Sequence, residues 1–188
     1  MDGPPVVELV AAAVVRPLRH AVLRPGWPDA ESAYERDDDP ASAHVALRIA
    51  DDDADDADDA DAGSPTPGTT GIVAVGTVLP EAPPWEPARA RAWRIRGMAT
   101  RDDRRGAGLG TLVVRALLDH VGAQGGGLVW CNARVRASTL YERAGFVSRG
   151  AVDVPGIGPH LQMWRTVDAL DGSPDDALDG SPDGLPDG

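Results

Sequence analysis

The chain of 188 residues has no lysine, one cysteine, one phenylalanine and two tyrosines. A single cysteine excludes an intramolecular disulfide framework. Cys131 lies in the apolar run Leu128-Val129-Trp130-Cys131 and reads as a small buried core residue rather than a redox or nucleophilic group. No apolar run approaches the roughly 18 residues of a membrane span. The start, Met1-Asp2-Gly3-Pro4-Pro5, lacks a basic segment, and Glu8 interrupts the apolar residues that follow, so the expectation is a soluble, cytoplasmic protein with no membrane association. The absence of lysine, beside abundant Ala, Asp, Arg and Gly, points to GC-rich coding rather than salt adaptation, because a halophile spreads carboxylates over its whole surface.

The net charge of −12 is unevenly placed: eight Asp fall in 51–63 and seven in 168–188, half of the 30 acidic residues. The remaining 15 acids face 18 Arg, so the body carries about +3 and the acidity belongs to two segments. A surplus that small, without a basic cluster interleaved with aromatics, disfavours nucleic acid as a partner. Residues 51–70 repeat Asp-Asp-Ala three times and end in Ser-Pro-Thr-Pro-Gly-Thr-Thr-Gly, a composition that cannot bury a core. They are expected to be a disordered insertion in a hairpin loop. Asp51, Asp53 and Asp55 alternate as in a calcium loop, but Asp56 replaces the required Gly and Ala62 the closing Glu, so no metal site is expected. The octapeptide at 168–175 recurs unchanged at 176–183, too short and polar for a repeat fold. The domain reading is therefore one folded body over 1–166 and an acidic tail over 167–188, with 42% hydrophobic residues sufficient for a core.

Along the body, strands are predicted at Val6–Val15, His44–Ala50, Gly71–Leu79, Ala92–Thr100, Leu128–Asn132, Phe146–Val154 and His160–Thr166, with a short helix over Pro17–Leu23 that has Pro in its first turn. Leu109, Leu112, Val113, Ala116, Leu117 and Val121 recur at helical spacing, so a long helix joins strands four and five as a crossover and those two strands run parallel. The turn between strand four and that helix is Arg101-Asp102-Asp103-Arg104-Arg105-Gly106-Ala107-Gly108-Leu109-Gly110-Thr111. Glycines heading a helix let free backbone N–H groups approach a phosphate, which makes this turn a candidate anion cradle. It is not the dinucleotide fingerprint, because Thr111 occupies the third glycine position, nor the triphosphate loop, which ends in Gly-Lys-Ser/Thr.

Arg105-x-x-Gly108-x-Gly110 resembles the acetyl-coenzyme A loop of the GNAT family of N-acetyltransferases, Arg/Gln-x-x-Gly-x-Gly/Ala. The strand Leu128–Asn132 and the segment Ser138-Thr139-Leu140-Tyr141-Glu142-Arg143-Ala144-Gly145-Phe146, with its Tyr-x-x-x-Gly-Phe close, resemble that family's next strand and helix. Leu18–Pro25 and Val154–His160 resemble a subgroup of small bacterial acetyltransferases, so the likeness covers roughly residues 5 to 166. It implies an α/β (α+β) fold: a single domain on a mixed, mostly antiparallel, twisted sheet with parallel, splayed strands 4 and 5 flanked by helices.

The resemblance also implies a function: direct transfer of an acetyl group from acetyl-CoA to a primary amine in a ternary complex, with no metal. The acceptor is a small-molecule or peptide amine, and homodimers are frequent in the family. By that likeness, backbone groups of Met98, Ala99 and Thr100 hold the pantetheine arm and polarise the acetyl carbonyl as an oxyanion-type contact. The amides of Arg105, Gly106, Ala107, Gly108, Leu109 and Gly110 take the pyrophosphate, helped by the Arg104 and Arg105 side chains and the Thr111 hydroxyl. Tyr141 is the candidate acid for the departing thiolate, its phenol being protonated at neutral pH. Where the family often has Asn seven residues before this tyrosine, the chain has Arg134, with Asn132 two residues earlier, and both are candidate coenzyme contacts. Glu81 and His160, and more remotely His20, are candidate bases. Trp85 and Trp93 could line an acceptor pocket or serve as packing anchors. A non-catalytic acyl-CoA-binding module is the second reading, distinguished by coenzyme binding without turnover on any amine.

Overall fold

The computed structural model describes residues 3–28, 33–50 and 71–170. The expected insertion at 51–70 and residues 171–188 of the expected tail lie outside them. The elements are β1 (Val6–Val10), α1 (Ala12–Leu23), β2 (Ala43–Arg48), β3 (Ile72–Pro80), β4 (Ala92–Thr100), α2 (Leu109–Ala123), β5 (Gly127–Arg134), α3 (Ser138–Arg143), β6 (Val147–Val154) and β7 (Gly158–Val167). The seven strands form one sheet in the order β1-β2-β3-β4-β5-β7-β6, antiparallel except for the β4–β5 pair.

The middle of this sheet is buried on both faces, which is why β3 reads as an unbroken Ile-Val-Ala-Val-Gly-Thr-Val-Leu rather than an alternating strand. The α2 stripe Leu109, Val113, Leu117 and Val121 packs with Val45, Leu47, Val73 and Ile95 on one face. Val113, Leu117 and Val121 are wholly buried, a contribution of roughly 1.5–3 kcal/mol each. On the other face α1 sets Val15, Leu18 and Val22 against Ala46, Ile72, Val75 and Ala99.

The first strand is shorter than predicted. It ends at Val10, and the helix begins at Ala12, so Pro17 lies inside α1 rather than in its first turn. Ala12 and Ala13 are strong helix formers, and winding this segment is what carries Val15 into the core; a strand continuing to residue 15 would leave that face of the sheet uncovered. Other element ends fall within three residues of expectation. At the C-terminal end β7 runs to Val167, and the Leu170 amide donates to the Gly122 carbonyl at 3.0 Å, so the ordered body extends past the predicted boundary onto the end of α2.

One irregularity in β4 sets the geometry of everything that follows. Val75 pairs with Ala99 but Thr77 pairs with Arg96, so β4 carries one extra residue in a bulge at Gly97. Gly97 has φ +64°, and a Cβ there would lie 2.9 Å from Arg19 Nε and 3.1 Å from the Tyr34 ring. The bulge reverses the alternation of the strand. Before it Trp93 and Ile95 join the α2-side core and Arg94 and Arg96 face the α1 side; after it Ala99 belongs to the α1-side core and Met98 to the α2 side.

Candidate functional site

The parallel pairing of β4 and β5 covers only Ala92↔Leu128, Trp93↔Val129 and Arg94↔Trp130. Beyond Arg94 the two strands separate, leaving the inner edge of β4 without a strand partner from Ile95 onward. The separation opens a cleft of about 730 Å³, lined by β4 from Arg94 to Thr100, by the loop into α2, by Asn132 and Arg134 of β5, by Tyr141 of α3 and by His160 of β7.

The loop has the character that the sequence predicts. Gly108 caps α2 in a left-handed conformation (φ +79°) with no side-chain cap. Between the Arg104 N–H→Arg101 carbonyl bond and the Thr111 N–H→Gly108 carbonyl bond, no amide of 105–110 donates to another backbone group among the described residues. These are the donors that a helix start leaves open for an anion. A Cβ added at Gly106 or Gly108 would meet nothing within 4 Å, so the loop surface is open on that side. The arginine side chains are partly engaged already, Arg105 with Asp102 and Arg101 with Asp103, which leaves the backbone as the principal donor set. Gly108→Ala makes the left-handed backbone cost about 1–2 kcal/mol, so the free loop relaxes out of it and an incoming anion must restore it. It is expected to raise the acetyl-CoA Kd about tenfold in a calorimetric titration; an unchanged Kd would remove the loop from the site.

Asn132 and Arg134 line the same cleft. The Asn132 Oδ1 is buried without a hydrogen-bond partner, an acceptor open to a donor that enters the cleft. Burial, followed by the like charges of Arg136, Arg24 and Arg105, lowers the Arg134 guanidinium from its ordinary value. Four cations thus crowd the cleft mouth, and a polyanion placed there would relieve their repulsion. Arg24 and Arg136 were not identified from sequence. Arg24 ends α1 and Arg136 sits in the turn after β5, so only the fold brings them to Arg105.

Tyr141 reaches the cleft wall from the α2 side, 5% exposed, with its ring edge-on to Phe146 at 5.5 Å. Its hydroxyl shares a hydrogen bond with the Cys131 thiol, and burial first, then that neighbour, raises its pKa well above the ordinary phenol value. It therefore stays protonated across the physiological range. Burial pushes the Cys131 thiol up to about 12, so it is an unreactive core residue that positions the phenol.

The three candidate bases are not brought together. His160 is 6% exposed in the cleft, with Nδ1 2.8 Å from the Gly158 carbonyl oxygen, which fixes the proton on Nδ1 and leaves Nε2 as the basic nitrogen. Glu81 lies in a neighbouring cavity of about 750 Å³ and is bonded to Arg94 at 2.7 Å, while its carbonyl accepts from the Trp130 indole. His20 does not line the cleft. Trp93 is a packing anchor whose indole donates to the Gly126 carbonyl, and Trp85 stacks edge-on against Trp130 at 5.7 Å.

Beneath the cleft lies a buried polar network with no sequence signature. Arg19 donates to both Asp37 carboxylate oxygens (3.1 and 2.8 Å) and to the Thr77 hydroxyl (2.7 Å). The Tyr34 amide donates to Asp37 at 3.0 Å, and His44 bridges the Thr77 hydroxyl and the Asp37 carbonyl at 2.9 and 2.8 Å. With Nε2–H donating to the carbonyl, Nδ1 accepts from Thr77, which requires a neutral imidazole. Burial, the largest influence, lowers the His44 pKa below 6.5 and overcomes the opposing pull of Asp37. The unfolded chain therefore binds more protons, and stability is flat above pH 6.5 and falls as pH drops through the folded pKa. Burial alone would raise the Asp37 carboxyl, but the Tyr34 amide and Arg19 outweigh it and hold it below 3.8, adding a second loss at lower pH. Urea midpoints between pH 8 and 4 check the first decline, which His44→Gln is expected to flatten.

The model of the Acetyltransferase (GNAT) family matches residues 14–146. The curated Uncharacterized N-acetyltransferase YitI of Bacillus subtilis (strain 168) is 26% identical over 162 residues, 86% of this chain and 95% of that protein. Among solved structures, a Lactobacillus plantarum protein described as an N-acetyltransferase superposes with a TM-score of 0.64 at 18% identity, covering 88% of this chain and 99% of its own. An aminoglycoside 6'-N-acetyltransferase complexed with coenzyme A gives 0.57 at 13%, covering 86% and 96%. The ribosomal-protein-S18-alanine N-acetyltransferase from Escherichia coli gives 0.57 at 13%, covering 89% and 96%.

Proposed function

Because the chain belongs to the GNAT acetyltransferase family, we propose that it moves an acetyl group from acetyl-CoA directly to a primary amine, both substrates being bound together. The observation that carries this reading is the opening of β4 from β5 past Arg94, with an open-amide loop at one end and the protonated Tyr141 on its wall. A structural neighbour holds coenzyme A. In this chain the amides of 105–110 and the cations of Arg24, Arg105, Arg134 and Arg136 meet the phosphates, Asn132 takes a pantetheine N–H, and the inner edge of β4 at Met98 to Thr100 meets the arm and the acetyl carbonyl.

The neutral amine nitrogen adds to the acetyl carbon, the carbon–sulfur bond breaks, and the amine gives up one proton. Tyr141 donates its proton to the departing sulfur and regains one from solvent. His160 Nε2, directly or through water, takes the proton of the amine, while Glu81, tied to Arg94, orients that guanidinium instead.

The test is thiol release from acetyl-CoA across a panel of amines. Acceptor-dependent release supports transfer; coenzyme binding without release on any amine would favour the non-catalytic reading. No helix among the described residues is long and apolar enough to cross a membrane, and a cytoplasmic location, where acetyl-CoA is made, fits the reading. The folded body through Leu170 contains every element of the site, so deletion of 171–188 is expected to leave the acetyl-CoA Kd within twofold; a larger loss would give the acidic tail a role in binding.

A further inference from the structure

Arg94 and Arg96 project from β4 on the α1 side, away from the α2 helix start where the donor's phosphates would lie. They form the wall between the cleft and the neighbouring cavity, lining both. Arg94 is occupied: Glu81 holds it at 2.7 Å and it lies 4.6 Å from the centre of the Trp130 ring. Arg96 differs. It stacks 3.6 Å from the centre of the Tyr34 ring, whose other contact is Arg19 at 4.2 Å, and it has no ion pair among the described residues. Its Nε, like that of Arg94, is buried without a hydrogen-bond partner, so what sets Arg96 apart is the missing carboxylate. Burial, then the like charge of Arg94, lowers its pKa against the opposing effects of Glu81 and of Tyr34, which also hydrogen-bonds it, so Arg96 has a neutral partner but no anionic one. The bulge at Gly97 and the Asp37 network that anchors Tyr34 hold this guanidinium in place, so the arrangement is built rather than a loose surface cation.

We propose that Arg96 is the recognition point of the acceptor, and that the acceptor is a small primary amine carrying an oxyanion, a carboxylate or a phosphate. This rests on the acetyl-transfer reading. An oxyanion reaching Arg96 gives the guanidinium the charge-assisted partner it lacks. The acidic groups of this wall do not fill that place: Glu81 is committed to Arg94, and Glu35 is an exposed residue of the outer cavity. A polyamine would bring further positive charge into this wall and gain no partner.

The experiment measures equilibrium binding of β-alanine, O-phosphoethanolamine, propylamine and 1,4-diaminobutane to the full chain, with and without saturating CoA, in wild type, Arg96→Gln and Arg96→Lys. The expected result is at least tenfold tighter binding of one or both oxyanion amines than of the neutral-tailed or dicationic ones. That preference is lost at least tenfold in Arg96→Gln and partly kept in Arg96→Lys, which also serves should the Gln variant fail to fold. The two oxyanion arms separate carboxylate from phosphate. Equal or tighter binding of propylamine or diaminobutane, no binding of any amine, or an affinity indifferent to Arg96→Gln would overturn the assignment. CoA binding, read in the same titrations, tests the donor site separately, so a cleft that takes CoA but shows no oxyanion preference refutes only this inference.

Discussion

Tyr141→Phe is expected to slow acetyl transfer by about 10²-fold, the lower end of what a positioned acid contributes, while the acetyl-CoA Kd changes less than threefold. The phenol is the cleft-lining donor on the α3 side, and phenylalanine keeps the ring, its edge contact with Phe146 and the cleft wall. What it removes is the proton and the bond to Cys131, worth about 1 kcal/mol of stability at most. Since burial raises the Tyr141 pKa, its ionisation should not produce an alkaline decline near pH 10, and wild-type turnover should remain free of one from this group. Unchanged turnover in the variant, measured by single-turnover kinetics at saturating donor, would remove Tyr141 from the acid role.

Asp37→Ala is expected to cost about 3–5 kcal/mol of folding stability, the scale for breaking a buried ion pair by deleting one partner. Arg19 is 1% exposed and Asp37 3%. Without the carboxylate the guanidinium keeps its Thr77 contact but loses the charge that compensates its burial. The Tyr34 amide loses its acceptor at the same time, and Tyr34 is the platform for Arg96. Urea unfolding at pH 7.5 gives the number. A loss below about 1 kcal/mol would mean that solvent or another group replaces the carboxylate, and Asp37→Asn, which keeps the shape but not the charge, should fall between.

The parts of the candidate site that lie close together in the chain are legible in the sequence. The glycine loop and the α2 stripe are each read from a dozen residues, because helix period and helix start are local properties, whereas the Tyr141-to-Phe146 segment stands out only by its resemblance to the GNAT family. The cleft face is not legible. Which side of β4 Arg94 and Arg96 occupy depends on the bulge at Gly97, and one extra residue reverses the parity on which any alternation argument rests. The polar network was invisible for another reason. Arg19, Asp37, His44 and Thr77 are joined across separations of 7 to 58 residues, and each taken singly reads as a side chain facing water. Only the packing of α1 on β3 and β4 makes them one cluster. The early start of α1 was missed because Val6 to Val15 is apolar enough to pass for a strand, and what decides it is the need of the sheet's α1 face for cover.

The most direct test of the whole account is calorimetric titration of the protein with acetyl-CoA beside Gly108→Ala and Tyr141→Phe, with ATP as the control. Saturable one-to-one binding of acetyl-CoA, weakened about tenfold by Gly108→Ala, little changed by Tyr141→Phe and not matched by ATP, is the predicted result. Absence of binding, or equal binding of ATP, would contradict the assignment of the cleft between β4 and β5 as an acyl-coenzyme A site.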